Sequence, residues 1–257
     1  MRKFCKDLTV KCVEHINEKY VLLRLTHSEP LPPMVPGQFV EIKVEDSPNT
    51  FLRRPISINN VDYDNNELHL LVATVGDGTR HMAALSSGDL LNVMFPLGNG
   101  FTMPADASRR HLLVGGGVGV APLLYLGKEI KRMGAEPTFL LGARSAKDLL
   151  MLNEFKRYGR VFITTEDGTE GEQGFVTNHS ILQQEKFDLI STCGPAPMMK
   201  AVARFAASAD TECEVSLENK MACGVGACLC CVEKTKDKGN VCVCKEGPVI
   251  NAKRLYL

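Results

Sequence analysis

The chain's 257 residues carry 30 basic and 30 acidic side chains, so its formal net charge is zero. A neutral chain has no basic surplus for nucleic acid or an anionic membrane, and it has no run of about 18 apolar residues that would cross a bilayer as a helix. Hydrophobic residues make up 44 %, ordinary for a globular protein, and the length suits two medium domains with a small appendage.

In chain order, residues 1 to about 100 read as antiparallel β. The opening segment MRKFCKDLTVKC alternates charged and apolar residues and lacks an apolar signal core. Short alternating runs follow at Leu8–Cys12, Tyr20–Leu25, Phe39–Val44, Ile56–Asn59 and Leu68–Thr74. Turn residues separate them: Pro30 to Gly37, Ser47–Asn49, Asp64–Asn66 and Gly76–Gly78. Strands at this spacing predict a small barrel, and Gly78 to Ser87 reads as a helix closing one end.

A polar, proline-containing linker at Phe101–Ser108 changes the pattern. From His111 buried strands alternate with helices: LLVGGGVGVAPLLYLGKEIKRMG as strand, glycine turn and helix, then PTFLLGAR, a helix over Lys147–Tyr158, RVFITTEDG, and FDLISTCGPAPMMKAVARFA. Such alternation predicts a parallel sheet with right-handed crossovers, doubly wound. The expected domains are 1–102 (barrel), 103–210 (α/β) and 211–257 (a cysteine-rich tail).

Seven of the ten cysteines lie between Cys213 and Cys244, which reads as a metal centre in a reducing cytosol rather than a disulfide frame. Cys223, Cys228 and Cys231 stand as C-x4-C-x2-C, with Cys242 and Cys244 following. This is plant-type iron–sulfur spacing: one tight loop gives three thiolates and a later strand the fourth. Gly224 and Gly226 let the backbone close in and turn N–H groups toward sulfur. A structural zinc site also takes four cysteines, but a Cys-x-Cys second pair after so short a loop suits it poorly. Free thiols are the third reading. Cys230, beside Leu229, is spare. Cys242 and Cys244 share strand parity, so either could be the fourth ligand.

Four further motifs stand out. In Arg53-Arg54-Pro55-Ile56-Ser57 an arginine and a hydroxyl could hold a phosphate and a polar ring atom; alone, the segment is a strand with solvated arginines. Gly76-Asp77-Gly78-Thr79-Arg80 is a glycine turn entering a helix, which suits an anion but is common. Gly115, Gly116, Gly117 and Gly119, followed by Val120-Ala121-Pro122, leave a buried strand and open a helix, where α/β sheets bind phosphates. The run departs from G-x-G-x-x-G, and alone it is a close strand–helix turn. Cys193-Gly194-Pro195 ends the fourth strand at the same sheet edge. A cysteine there could touch a ring stacked over a flavin, or be a buried thiol.

In this order RPIS, GDGT, GGGVGVAPL and CGP resemble the ferredoxin–NADP reductase superfamily. With MACGVGACLCCV…VCKEGPVI the chain resembles, over essentially its whole length, the electron-transfer subunits of NAD-dependent dihydroorotate dehydrogenase, type B. The resemblance implies an N-terminal antiparallel β-barrel for FAD, a doubly wound sheet for the nicotinamide nucleotide and a small C-terminal [2Fe–2S] segment. Residue by residue, it implies that Arg54 reaches the FAD pyrophosphate and Ser57 the isoalloxazine edge, with Pro55 and Ile56 completing the motif. Ile56 stands where many relatives carry a stacking aromatic. Leu71, Val72 and Ala73 match the strand flanking the flavin, and Gly78 and Thr79 the turn at its phosphates. Gly115 to Gly119, with Cys193 and Gly194, match the nicotinamide site. Cys223, Cys228, Cys231 and Cys244 match the cluster ligands, Cys244 because it precedes the x-x-Gly-Pro-Val segment.

The implied activity is electron conversion. NAD exchanges electrons in pairs, a cluster one at a time, and a flavin does both. The implied partner is an FMN-containing catalytic subunit that oxidises dihydroorotate in pyrimidine synthesis, in a cytoplasmic heterotetramer of two of each subunit. Two competing readings are a reductase subunit serving ferredoxin, sulfide or sulfite with NADP, and a zinc-bearing binding module. Arg144, after the second α/β strand, could meet an NADP 2′-phosphate or lie on the surface, so the sequence leaves NAD and NADP open.

Overall fold

The structure, a computed structural model, describes residues 2–45 and 47–257. The chain forms two compact units: one runs to Gly100 and adds Glu218–Glu233 and Asn240–Pro248; the other holds Phe101–Leu217, Lys234–Gly239 and Val249–Leu257.

The first unit opens with β1 (Phe4–Asn17), β2 (Tyr20–Thr26), β3 (Phe39–Ile42), β4 (Arg54–Asp62) and β5 (Glu67–Ala73), then α1 (Asp77–Ala83) and β6 (Leu90–Leu97). They close a barrel in the order β1-β2-β5-β4-β3-β6, with β6 antiparallel to both β3 and β1. Alternate residues fill its interior, among them Leu8, Leu23, Leu25, Ile42, Ile58, Leu68, Leu70 and Phe95. The sequence pattern did not reveal β6. Its register shifts against β3 and it carries Pro96, so strict alternation is broken, and its two flanking strands supply the order. The helix expected over Gly78–Ser87 ends at Ala83, where Asp89 accepts the Ser86 N–H at 2.7 Å and turns the chain.

In the second unit β7 (His111–Gly116) leads through a 3-10 turn (Gly117–Val120) into α2 (Ala121–Arg132). There follow β8 (Thr138–Ala143), α3 (Leu152–Tyr158), β9 (Arg160–Thr165), β10 (Glu172–Gln173), α4 (Ile181–Gln184), β11 (Leu189–Cys193), α5 (Ala196–Ser208) and β12 (Glu212–Ser216). The rest of the chain gives a hairpin of β13 (Val232–Thr235) and β14 (Gly239–Cys242), then α6 (Val243–Glu246) and β15 (Val249–Asn251). The large sheet has the order β10-β9-β8-β7-β11-β12-β15, parallel except for β15 at its edge. Strand order reverses between β7 and β11, which is where doubly wound sheets bind ligands.

Two expectations change. The helix expected over Lys147–Tyr158 is a 3-10 turn at Ala146–Asp148 and then α3 from Leu152, because Met151 at φ 55° interrupts it. Within the stretch 211–257, β12 and β15 are strands of the large sheet, while Glu218–Glu233 and Asn240–Pro248 belong with the barrel. Among the described residues no helix is long and apolar enough to cross a membrane.

Candidate functional site

Three groups of residues come together, two in the first unit and one in the second. In the barrel, β4 places Arg54 opposite Ile42, Pro55 opposite Glu41, Ile56 opposite Val40 and Ser57 opposite Phe39. Arg54 Nη1 donates to the Leu52 carbonyl at 2.6 Å. Its Nε lies 3.3 Å from where a Cβ on Gly78 would stand, and Thr50 Oγ1 is equally near. RPIS and GDGT, distant in sequence, therefore meet at the start of α1. Thr79 Oγ1 accepts the Gly76 N–H and donates to the Gly76 carbonyl, both at 3.0 Å, which fixes that turn. Leu71 and Val72 are buried in the barrel, and Ala73 is half-buried on the way to the turn. Arg53 differs from Arg54. Its Nη1 donates to the Glu41 and Asn92 carbonyls at 3.2 and 3.0 Å and its Nη2 to Asn92 Oδ1 at 2.5 Å, so it ties β3 to β6.

The cysteine loop lies in the same unit. Gly224 at φ 63°, Gly226 at 83° and Leu229 at 59° are left-handed, and this curls the loop inward. Backbone N–H groups of Val225, Ala227 and Cys228 then point at Cys223 Sγ from 3.5, 3.3 and 3.4 Å. Cys230 N donates to Cys228 Sγ at 3.5 Å, Gly226 N to Cys244 Sγ at 3.1 Å, and Cys244 N to Cys231 Sγ at 3.3 Å. Cys223 feels the Cys228 thiol and Cys244 feels the Cys231 thiol as electrostatic neighbours. The thiols stand as two pairs, and among the described residues no three metal-ligating side chains converge on a single ion position. Four thiols under a canopy of N–H donors fit the donor set that an iron–sulfur core would need.

The electrostatics agree with that fit. Burial opposes ionisation of Cys223, yet the three N–H groups and the Cys228 thiol outweigh it and hold this thiol at about 6. Burial, reinforced by Cys231, pushes Cys244 up to about 12. So crowded a set ionises together only when metal charge compensates it. Cys230 is exposed. The Cys242 thiol donates to the Gly226 carbonyl at 4.0 Å, and burial raises its pKa. Both stand outside the two pairs.

In the second unit the register sets Cys193 beside Gly115, at the reversal of strand order. The glycine turn and the Cys193–Gly194 corner touch. A Cβ on Gly119 would lie 2.4 Å from the Gly194 Cα and 2.5 Å from the Cys193 carbonyl oxygen. Met198, on α5, lies against Gly116. Cys193 is fully buried, and Arg144 follows β8 exposed on the surface. Sequence reasoning missed Thr50, Met198 and the division of labour between the two arginines. Only cross-strand register and loop packing reveal them.

Two family models match: the iron-sulfur cluster binding domain of dihydroorotate dehydrogenase B over residues 218–256, and the oxidoreductase NAD-binding domain over 113–204. The dihydroorotate dehydrogenase B (NAD(+)) electron transfer subunit of Lysinibacillus sphaericus is 43 % identical over 229 residues, covering 87 % of this chain and 88 % of the relative. The chain belongs to that family. Its Fusobacterium nucleatum member is 41 % identical over 220 residues, covering 83 % and 84 %. Among solved structures, an NADH-dependent reduced ferredoxin–NADP oxidoreductase studied for flavin-based electron bifurcation superposes with a TM-score of 0.86. It is 27 % identical and covers 96 % of this chain and 88 % of that one. In this dihydroorotate dehydrogenase B family member, the NAD-binding model falls on the nucleotide sheet and the iron–sulfur model on the cysteine loop and the strands that follow it.

Proposed function

We propose that this chain is the electron-transfer subunit of an NAD-dependent dihydroorotate dehydrogenase. It passes electrons from the FMN of a catalytic partner, through a [2Fe–2S] cluster and FAD, to NAD⁺ in cytoplasmic pyrimidine synthesis. Bound FAD supplies the junction between one-electron and two-electron chemistry. The chain's own residues do the holding. Arg54, with Thr50, Gly78 and Thr79 around it, holds the flavin diphosphate. Pro55, Ile56 and Ser57 line the ring, along the strand direction of Leu71, Val72 and Ala73. Gly115, Gly116, Gly117 and Gly119 accept the nicotinamide nucleotide, with Cys193 and Gly194 at their side. Cys223 with Cys228, and Cys231 with Cys244, take one iron each. Dihydroorotate is oxidised on the partner, in an assembly of two of each subunit.

The observation that carries this reading is the loop in the barrel unit whose backbone N–H groups point at the sulfurs of Cys223, Cys228, Cys231 and Cys244. The test is anaerobic purification followed by metal, sulfide and flavin analysis. The expected result is two irons, two sulfides and one FAD per chain, with NAD-linked dihydroorotate oxidation once the catalytic subunit is added. Stoichiometric zinc, or no flavin, overturns it. The likeness to the ferredoxin–NADP oxidoreductase supports a second reading, a reductase serving ferredoxin with NADP. Turnover with reduced ferredoxin and NADP, and none with the dihydroorotate-oxidising partner, selects that one.

A further inference from the structure

Four consecutive residues of β3, Phe39 to Ile42, are buried. On a barrel strand this requires cover on both faces. Val40 and Ile42 have the parity of the barrel interior. Phe39 and Glu41 face the other way, where the returning cluster segment covers them. A Cβ on Gly224 would stand 3.0 Å from Glu41 Cγ, 3.3 Å from its carboxyl carbon and 3.0 Å from Leu97 Cδ1. Glu41 therefore lies directly beneath the residue that follows Cys223. It is also the cross-strand neighbour of Pro55 in the flavin motif.

This carboxyl is fully buried, and neither of its oxygens has a hydrogen-bond partner among the described residues. A buried polar group so placed needs an explanation. The nearby guanidinium does not supply one, since Arg53 bonds the Glu41 backbone carbonyl rather than the side chain. A carboxyl buried without a partner is held in its neutral form, and that form offers one O–H donor with no acceptor for it among the described residues.

We propose that Glu41 is a potential-setting residue of the iron–sulfur centre, its carboxyl donating a hydrogen bond to the sulfur-rich group held by the 223–231 loop. Hydrogen bonds to cluster sulfurs favour the reduced, more negative state and so raise the potential. The inference rests on the iron–sulfur reading above. It adds a residue outside the cysteine loop that matches the cluster's potential to that of the flavin on the same barrel.

The test is an EPR-monitored redox titration of the purified holoprotein and of Glu41→Gln and Glu41→Leu, each first assayed for two irons and two sulfides per chain. Gln keeps an N–H donor, so its potential stays near that of the wild type. Leu has none, so its potential falls. A rise in both variants shows Glu41 to be an anion and overturns the proposal, as does an unchanged potential in Glu41→Leu. Infrared difference spectra of the wild type, reduced minus oxidised, supply a readout that does not depend on the Leu variant folding. A shifted carboxylic-acid carbonyl band that Glu41→Gln lacks supports the donor, and its absence from the wild type overturns it. A wild-type protein without iron and sulfide removes the underlying reading, and this inference with it.

Discussion

Cys242 and Cys244 are two residues apart in sequence, yet they occupy different environments. Cys244 is buried, its sulfur bonded by the Gly226 N–H and its own N–H bonded to the Cys231 sulfur, whereas the half-buried Cys242 thiol reaches a carbonyl oxygen at 4.0 Å. Cys244→Ser is expected to lose most of its iron, and Cys242→Ser to keep its iron and its visible spectrum. The reverse pattern would reassign the fourth ligand. His111 carries a second residue-scale expectation. It is buried on β7, bonds Ser191 at 2.8 Å, and burial lowers its pKa to about 4. Its folded value lies below the ordinary 6.5, so the unfolded chain binds the extra proton. Stability from this group is complete above about pH 6.5 and is lost as pH falls toward 4, by about 3 kcal/mol. Urea unfolding of wild type and His111→Gln at pH 7 and pH 4.5 checks this: the wild type loses more between the two pH values.

At the scale of elements, close approach replaces propensity as the deciding quantity. Gly127 lies in the middle of α2, where glycine ordinarily costs about 1 kcal/mol relative to alanine. A Cβ there would stand 2.2 Å from the ring of the fully buried Phe139 on β8. Gly127→Ala is therefore expected to destabilise by about 1–3 kcal/mol despite its better propensity. Phe139→Leu should recover part of that loss in the double variant, as read by thermal melting. The Gly119 turn obeys the same geometry against the Gly194 corner, where both sides are backbone and cannot yield. Gly119→Ala should raise the KM for NADH about tenfold or more with flavin and iron content unchanged. An unchanged KM would place the nucleotide elsewhere.

For the whole molecule, the decisive expectation concerns which activities survive without the cluster. The thiol pairs belong to the barrel unit, while the glycine turn and Cys193 belong to the nucleotide unit. Cys228→Ala, provided it retains FAD and still assembles with the catalytic subunit, should oxidise NADH with an artificial two-electron acceptor at close to the wild-type rate. The same complex should lose NAD-linked dihydroorotate oxidation. Undiminished NAD-linked turnover would mean that electrons do not need the cluster.

The sequence by itself determined the fold class and the motifs. Alternation every two residues, strands alternating with helices, and C-x4-C-x2-C are local patterns imposed by backbone geometry and by the sulfur demand of a metal core. It could not determine β6 or β12, whose order comes from neighbouring strands, nor the Met151 break that shortens α3. It could not rank Cys242 against Cys244, because strand parity is equal while burial is not. Glu41 shows the limit most directly. In Phe39-Val40-Glu41-Ile42-Lys43 the alternation reads it as an outward, solvated carboxylate, and the alternation is right about the face. Only the return of residues 218–233 onto that face, from some 180 positions away, turns a surface acid into a buried one beneath the cysteine loop. Side-chain direction is written in the local pattern; what covers it is set by contacts that no local pattern encodes.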